Sequence, residues 1–202
     1  MREIGRIVRL QIQRASLKTG EKPNRTYDPA PLFPVRQLAV TPDGSLGRGP
    51  DHSWLVDVHH RAHPDTKNED GQHGISVGFT GHYTAMRHRF GKHLTVGCAG
   101  ENIIVDCPHR ISYEDVQAGL RVVADDDREV LRLAVLQVAH PCRPFTGWAL
   151  GRQVEPEALK QHLQFLDDGM RGYYCLAESS GVVSVGDRLV TAERRQTSDT
   201  DV

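Results

Sequence analysis

The chain has 202 residues, and its 25 lysines and arginines almost balance its 26 aspartates and glutamates. This balance gives no reason to expect a nucleic acid or a membrane as a partner, because binding to either favours an excess of positive charge. The length suits one large domain or two small ones. We predict one domain over residues 1–192 and a polar, disordered tail over 193–202.

The amino-terminal segment and the cysteines both bear on the compartment. Residues 1–20 are rich in arginine, as in a transit peptide, but Val8, Leu10 and Ile12 alternate with polar residues, which is the period of a half-buried strand. No apolar run approaches the ~20 residues of a membrane span. The four cysteines form neither CxxC pairs nor a dense framework, which favours a reducing compartment. We therefore expect a cytoplasmic protein without disulfides.

The segment 23–50 is rich in proline and contains the turn signal Asp43-Gly44. It predicts an extended loop with one short strand, residues 37–41. Three short helices are predicted further along the chain. One surrounds Tyr83, with Thr80 as its N-cap and Gly91 just beyond its end. The others are a single turn after a shortened capping box at residues 112–115 and a helix over about 156–169.

Strands account for most of the remaining chain. Apolar runs bounded by turn signals predict strands over residues 103–105, 120–124, 130–139, 172–177, 182–185 and 188–191. The acidic residues 125–129 are predicted to form a solvated hairpin tip, because adjacent carboxylates on a tight turn rarely converge on one metal ion. These elements predict a mainly β fold with a few short helices, arranged as a closed or partly closed antiparallel barrel.

Cys142 lies between two prolines in His140-Pro141-Cys142-Arg143-Pro144, where a long apolar strand ends. The prolines would pre-position the thiol, and the neighbouring Arg143 favours its thiolate form. The alternative is a buried structural cysteine. For the other three cysteines, Cys98, Cys107 and Cys175, we predict that packing role.

Four motifs together resemble those of MOSC domains, which occur at the carboxyl end of molybdenum cofactor sulfurases and as free-standing proteins. They are Gly100-Glu101-Asn102-Ile103, the Pro-Cys loop at 141–142, residues 169–174, and Gly181-x-Val183-x-x-Gly186-Asp187. The resemblance covers roughly residues 5–190. It implies a MOSC-type β-barrel, a molybdenum-pterin cofactor, and reduction of small N-hydroxylated compounds such as amidoximes and hydroxylaminopurines.

The resemblance also implies roles for individual residues. Cys142 would be the molybdenum ligand, and a soft thiolate suits such a centre. Gly100, Glu101 and Asn102 would line the cofactor pocket, where Glu101 could bind the pterin or relay a proton; the alternative is a turn with solvent-facing polar groups. Basic candidates for contact with the cofactor, each of which could instead be an ordinary surface residue, are Lys18, Arg25, Arg143 and Arg171.

The chain contains eleven histidines, and the cluster His59-His60-x-x-His63 invites comparison with a zinc or iron site. Its spacing matches no known closed ligand set, and Pro64 indicates a loop, so we predict no metal site there. Many MOSC proteins carry a histidine followed by two glycines in this region, whereas here only His73-Gly74 remains. His60 and His73 are candidate proton donors, since histidine titrates near neutral pH.

The main prediction is a molybdenum-dependent enzyme that converts N–OH groups to N–H groups. The sequence has no nicotinamide, flavin or iron–sulfur motif, so a separate reductase is expected to supply electrons. Two alternatives stay open. One is a sulfur carrier or cofactor-handling module with a persulfide on Cys142, and the other is a pterin-binding protein without catalysis of its own.

Overall fold

The computed structural model describes residues 1–66, 68, 70–151 and 155–192. The predicted tail, 193–202, lies outside the described residues. The helices are α1 (Thr80–Phe90), α2 (Tyr113–Val116), α3 (Arg143–Leu150) and α4 (Pro156–Asp167). The strands are β1 (Arg2–Gln13), β2 (Lys18–Thr19), β3 (Thr26–Tyr27), β4 (Leu32–Val35), β5 (Gln37–Thr41), β6 (Gly44–Arg48), β7 (Trp54–Val56), β8 (Ile75–Phe79), β9 (Ile103–Val105), β10 (Leu120–Val123), β11 (Glu129–Val138), β12 (Tyr173–Ala177), β13 (Gly181–Ser184) and β14 (Arg188–Thr191).

The largest sheet closes into a barrel. Its strand order is β14-β10-β11-β12-β8-β9-β1-β4, and an additional pairing of β14 with β1 completes a ring of seven strands. The long β1 makes closure possible, because its first residues pair with β14 and its later residues pair with β9 and β4. The amino-terminal segment is therefore a strand, and the predicted barrel is confirmed.

One pair of strands corrects the expectation of an antiparallel barrel. β8 and β9 run parallel, with Val77 opposite Ile103. Parallel neighbours need a crossover connection, usually a helix, and α1 lies in the connection here. The other strand pairings among the described residues are antiparallel.

The proline-rich segment contains more strand than predicted. Besides β5, it contributes β3, β4 and β6, and β5 and β6 form a hairpin around Asp43-Gly44. Pro34 is accommodated because β4 pairs only with β1 and is an edge strand. A second sheet, β13-β5-β6-β7, results from this hairpin and its neighbours.

The helices confirm most of the capping predictions. Ser112 and Asp115 form a complete capping box at α2, and Gly91 caps α1 with a φ of 119°. Thr80 was wrongly predicted as the N-cap of α1, since Phe79 has that position and Thr80 is the first helical residue. The Thr80 hydroxyl instead donates to Asp106 at 2.9 Å and also lies 3.1 Å from the Cys107 carbonyl oxygen.

Two buried clusters divide the interior. One fills the barrel and contains Leu10, Val77, Leu133 and Tyr173, among others. The second lies under the helices and contains Tyr27, Tyr83, Met86, Cys98, Ala99, Phe145, Leu166 and Met170. Most of its members come from α1, α3, α4 and the loop before β9, so the helices cover the segment that precedes the Gly100-Glu101-Asn102 motif.

Candidate functional site

A cavity of about 190 Å³ lies beside the end of β1, and a second pocket of about 30 Å³ shares part of its wall. Residues that line both are Gln13, His59, Ala99, Arg171 and Tyr174. The larger cavity is also lined by Ser16, Leu17, Lys18, Arg25, Tyr27, Val58 and Asp65. The smaller pocket is also lined by His73, Ser76, Gly100, Glu101 and Ala139. We treat the two as one site and call it the central cavity.

Glu101 is a buried acid at the inner end of the central cavity, with 2% of its surface exposed. Its Oε2 accepts the Tyr83 hydroxyl at 2.5 Å. Its Oε1 is buried and has no hydrogen-bond partner in the described part of the chain. Burial raises the pKa of Glu101, and the hydrogen bond from Tyr83 opposes that shift. The alternative of a turn with solvent-facing polar groups is therefore wrong for this residue.

Asn102 is also buried, but its side chain is fully used within the protein. Its Oδ1 accepts the Ser76 amide at 3.0 Å, and its Nδ2 donates to Oδ2 of Asp57 at 3.1 Å. Gly100, with a φ of 99°, provides the positive-φ turn just before these residues. The structure therefore gives Asn102 a role in joining the strands around the cavity.

Arg171 lies opposite Glu101 in the lining and is 9% exposed, so it is not an ordinary surface arginine. Nη2 donates to the Ala99 carbonyl at 2.9 Å and Nη1 to the His140 carbonyl at 3.1 Å. The guanidinium lies 4.6 Å from the centre of the Phe145 ring. Its buried Nε has no hydrogen-bond partner among the described residues.

The outer part of the central cavity carries opposite charges. Lys18 is exposed and Arg25 is partly buried, and both line it. Asp65 lines the same cavity. With Arg171 deeper inside, the described lining has more positive than negative side chains at this end, which suits an anionic group.

Cys142 is the N-cap residue of α3, and Arg143 begins that helix on the exposed side. Sequence inspection missed α3, which has Pro144 in its first turn, where a missing N–H costs nothing. Cys142 is half-buried and packs against the cluster under the helices, and it is not among the residues that line the central cavity. Burial lowers the pKa of the Arg171 guanidinium, but its neighbours Tyr174, Tyr27, Cys142 and Glu101 raise it, and the net shift is upward. Cys142 therefore lies close to Arg171.

The other three cysteines are buried, as the packing prediction required. Burial raises the pKa values of Cys98 and Cys175 to about 12. All four cysteines are free thiols. Cys142 is therefore the most accessible of the four.

His73 and His60, the two histidines predicted as proton donors, lie in different places relative to the central cavity. His73 lines the inner pocket, where its Nε2 lies 3.0 Å from Gln137 and its ring contacts Tyr174 edge-on. His60 does not line the central cavity, and its Nδ1 accepts the Ala62 amide at 3.1 Å. Within the described ranges, no three histidine, cysteine or acidic side chains come together as a metal site.

His59, which sequence inspection named only as part of a possible metal cluster, lines both parts of the central cavity. Its ring Nδ1 lies 3.1 Å from Oδ1 of Asp57, which is fully buried. The two residues lie in a turn, in which the Asp57 carboxylate accepts the backbone amide two positions further on, a spacing typical of aspartate in turns. That spacing was a usable signal, although nothing in the sequence indicated which side faces a cavity.

Within the described part of the chain, no helix combines the length and the apolar character that a membrane span requires.

The chain resembles known proteins in sequence and in fold. The family model of the MOSC domain matches residues 70–190. The solved structure of the YuaD protein from Bacillus subtilis is 14% identical, with 91% of this chain and 93% of that chain covered and a TM-score of 0.55. YiiM from Geobacillus stearothermophilus is 18% identical, with 94% and 75% covered and a TM-score of 0.54. At these identities the likeness supports the fold alone. None of the curated proteins matches the chain.

Proposed function

Because the chain belongs to the MOSC domain family, we propose that it holds a molybdenum-pterin cofactor at the central cavity and reduces N-hydroxylated compounds with electrons from a separate reductase. The observation that carries the proposal is the pair of buried, ionisable side chains with unused hydrogen-bonding atoms. These are Oε1 of Glu101 and Nε of Arg171, which lie in the same lining.

A buried polar atom without a partner costs about 1–3 kcal/mol, and more if the group is charged. A ligand that offers both a donor and an acceptor would remove this cost at both positions. A pterin ring carries N–H donors beside a carbonyl and ring nitrogens, so its chemistry fits Glu101 and Arg171 together. A purely apolar ligand would leave both atoms unsatisfied.

The outer residues fit the anionic end of such a cofactor. Lys18 and Arg25 line the cavity where it is closest to solvent, and lysine and arginine are common phosphate-binding residues. The enclosed volume, about 190 Å³, is below the roughly 300–1,000 Å³ of typical ligand sites. We therefore propose that only part of the cofactor is enclosed and that its phosphate lies at the mouth.

Cys142 would hold the molybdenum through its sulfur from beside the central cavity: it does not line the enclosed part, but it is the half-exposed thiol of the four and lies close to Arg171, which does line it. When bound, the metal would supply two-electron chemistry that removes oxygen from an N–OH group. The overall conversion consumes two electrons and two protons for each N–OH group, and it releases one water molecule and leaves an N–H bond. The electrons would come from the reductase.

Side chains of the protein would supply the protons. Burial raises the pKa of Glu101, so this carboxyl retains a proton at a higher pH than an exposed glutamate does. Tyr83 fixes the orientation of the carboxyl through its 2.5 Å hydrogen bond. Glu101 is accordingly proposed as one proton donor at the inner end of the cavity.

The test is a reduction assay on cofactor-loaded protein with a chemical reductant and an amidoxime or hydroxylaminopurine. We expect the corresponding amidine or aminopurine, and we expect Arg171→Ala to reduce its formation, with Arg128→Ala at the exposed hairpin tip as a matched control. No product from loaded protein would overturn the proposal. Sulfane sulfur on Cys142 without product would favour the sulfur carrier, and retained cofactor with neither activity would favour simple binding.

A further inference from the structure

Asp57 is a buried carboxylate that accepts hydrogen bonds from three N–H groups and contacts the ring of His59. It is 0% exposed. Oδ2 accepts the Gln13 amide at 2.7 Å and Nδ2 of Asn102 at 3.1 Å. Oδ1 accepts the His59 amide at 2.8 Å and lies 3.1 Å from the His59 ring. With the ring of His59 as a fourth donor, these contacts match the acceptor capacity of an ionised carboxylate.

This arrangement fixes the proton on the His59 ring. Beside an ionised carboxylate, which can only accept, Nδ1 of His59 carries the hydrogen of their bond and Nε2 is left as the variable position. The side chain of His59 is 28% exposed and lines both parts of the central cavity. A carboxylate behind a histidine also stabilises the imidazolium, as in enzymes where such a pair transfers protons.

The contacts of His59 leave it freer for proton transfer than those of His60 and His73, the two histidines predicted from the sequence. His73 already has a partner at Nε2 in Gln137. His60 uses Nδ1 to accept a backbone amide and does not line the cavity. The charged or titratable groups that share the cavity lining with His59 are Lys18, Arg25, Asp65, His73, Glu101, Arg171, Tyr27 and Tyr174.

We propose that His59 transfers protons to the ligand in the central cavity and that Asp57 is its positioning residue. This inference rests on the proposed function, in which each turnover consumes two protons. His59 would give one of them from Nε2, passing from imidazolium to neutral imidazole, and would regain a proton from solvent at the mouth of the cavity. Glu101 lines the inner pocket and remains available for the other.

The first test uses the ring nitrogens of His59 in protein without cofactor. Nitrogen-15 chemical shifts distinguish the Nδ1–H from the Nε2–H tautomer. We expect the wild type to show predominantly the Nδ1–H form of neutral His59 and Asp57→Asn to lose that preference, with His59→Gln providing the assignment. The exposed His88 on α1 is the matched control, and its tautomers should not change. An unchanged His59 tautomer in Asp57→Asn would overturn the inference.

The second test is the pH dependence of N–OH reduction by loaded protein. Wild-type activity should fall as pH rises, because neutral His59 has no proton to give at Nε2. His59→Gln should lose the part of this fall that His59 causes, keep the part that Glu101 causes, and be slower by roughly 100-fold, the lower end of the general acid effect, with unchanged molybdenum content. His88→Gln should behave as wild type.

The outcomes separate the two proposals. Wild-type activity together with a wild-type rate and pH profile in His59→Gln would overturn the relay and leave the proposed function intact. A wild type without any reduction would overturn both. The Asp57 carboxylate joins three segments of the chain, so Asp57→Asn can fail to fold. In that case the rate and pH profile of His59→Gln alone decide whether His59 transfers protons.

Discussion

Tyr83 on α1 joins Glu101 to the backbone beside it: its hydroxyl donates to Oε2 of Glu101 at 2.5 Å and accepts the Ala99 amide at 3.1 Å. This contact links the crossover helix between the two parallel strands to the Gly100-Glu101-Asn102 motif. A buried acid is thereby held in one orientation at the inner end of the central cavity.

The burial of Glu101 predicts how stability depends on pH. Its folded-state pKa lies above the unfolded value, so as pH rises the unfolded chain loses its proton first and gains stability relative to the folded chain. The contribution of Glu101 to stability therefore falls from the unfolded pKa up to the folded pKa and then levels off. Glu101→Gln removes this dependence, so its stability relative to the wild type should increase with pH across that window.

Urea unfolding between about pH 3.5 and 8 measures this difference. Glu157→Gln, at an exposed position of α4, is the matched control and should run parallel to the wild type. Parallel curves for Glu101→Gln as well would show that the carboxyl titrates as it does in the unfolded chain.

Arg171 is predicted to need its guanidinium geometry and not only its charge. Lysine cannot reproduce two separate donations to the Ala99 and His140 carbonyls, nor the same stacking on Phe145. We expect Arg171→Lys to lower the free energy of unfolding by about 2 kcal/mol, since each hydrogen bond to a charged group contributes about 1.5–3 kcal/mol. Denaturant unfolding checks this, with Arg128→Lys at the exposed hairpin tip as control. A loss below about 0.5 kcal/mol, the range of ordinary surface substitutions, would contradict the arrangement.

Gly172 sets the position of Arg171, because it forms the turn between that residue and β12. Its φ is 78°, and a Cβ there would lie 2.1 Å from the Val77 carbonyl oxygen. Gly172→Ala should therefore destabilise the fold by more than about 2 kcal/mol or prevent folding. Gly147, inside α3, has open space where a methyl group would lie, so Gly147→Ala should stabilise by about 0.5–1 kcal/mol. Thermal unfolding of the pair checks both signs, and equal effects would contradict this explanation.

Much of the fold could be predicted because its signals are local. The β10–β11 hairpin has apolar runs on both sides of an acidic tip, and α2 has its capping box within four residues. The parallel pairing of β8 with β9 has no such signal, since it depends on closure of the whole barrel. The helix α3 was missed because proline and glycine usually indicate a loop. Pro144 is tolerated in the first turn, and burial of Phe145 and Ala149 outweighs the cost of Gly147.

The central cavity was predicted in part, through motifs. Glu101, Arg171, Lys18 and Arg25 were named from the sequence, and the structure places all four in one lining. The role of Asp57 could not be predicted, because its partners Gln13 and Asn102 are 44 and 45 positions away and meet it only after β1 and β9 pair. Long-range contacts of this kind leave no periodicity in the sequence.

The central claim, a molybdenum cofactor held through Cys142, is tested most directly by the molybdenum content of the purified protein. We expect close to one molybdenum atom per chain in the wild type, and its loss in Cys142→Ser. Cys107→Ala, which changes a buried thiol of the barrel core, should retain the metal. Equal molybdenum in Cys142→Ser and wild type, or none in a wild type produced with cofactor available, would contradict the account.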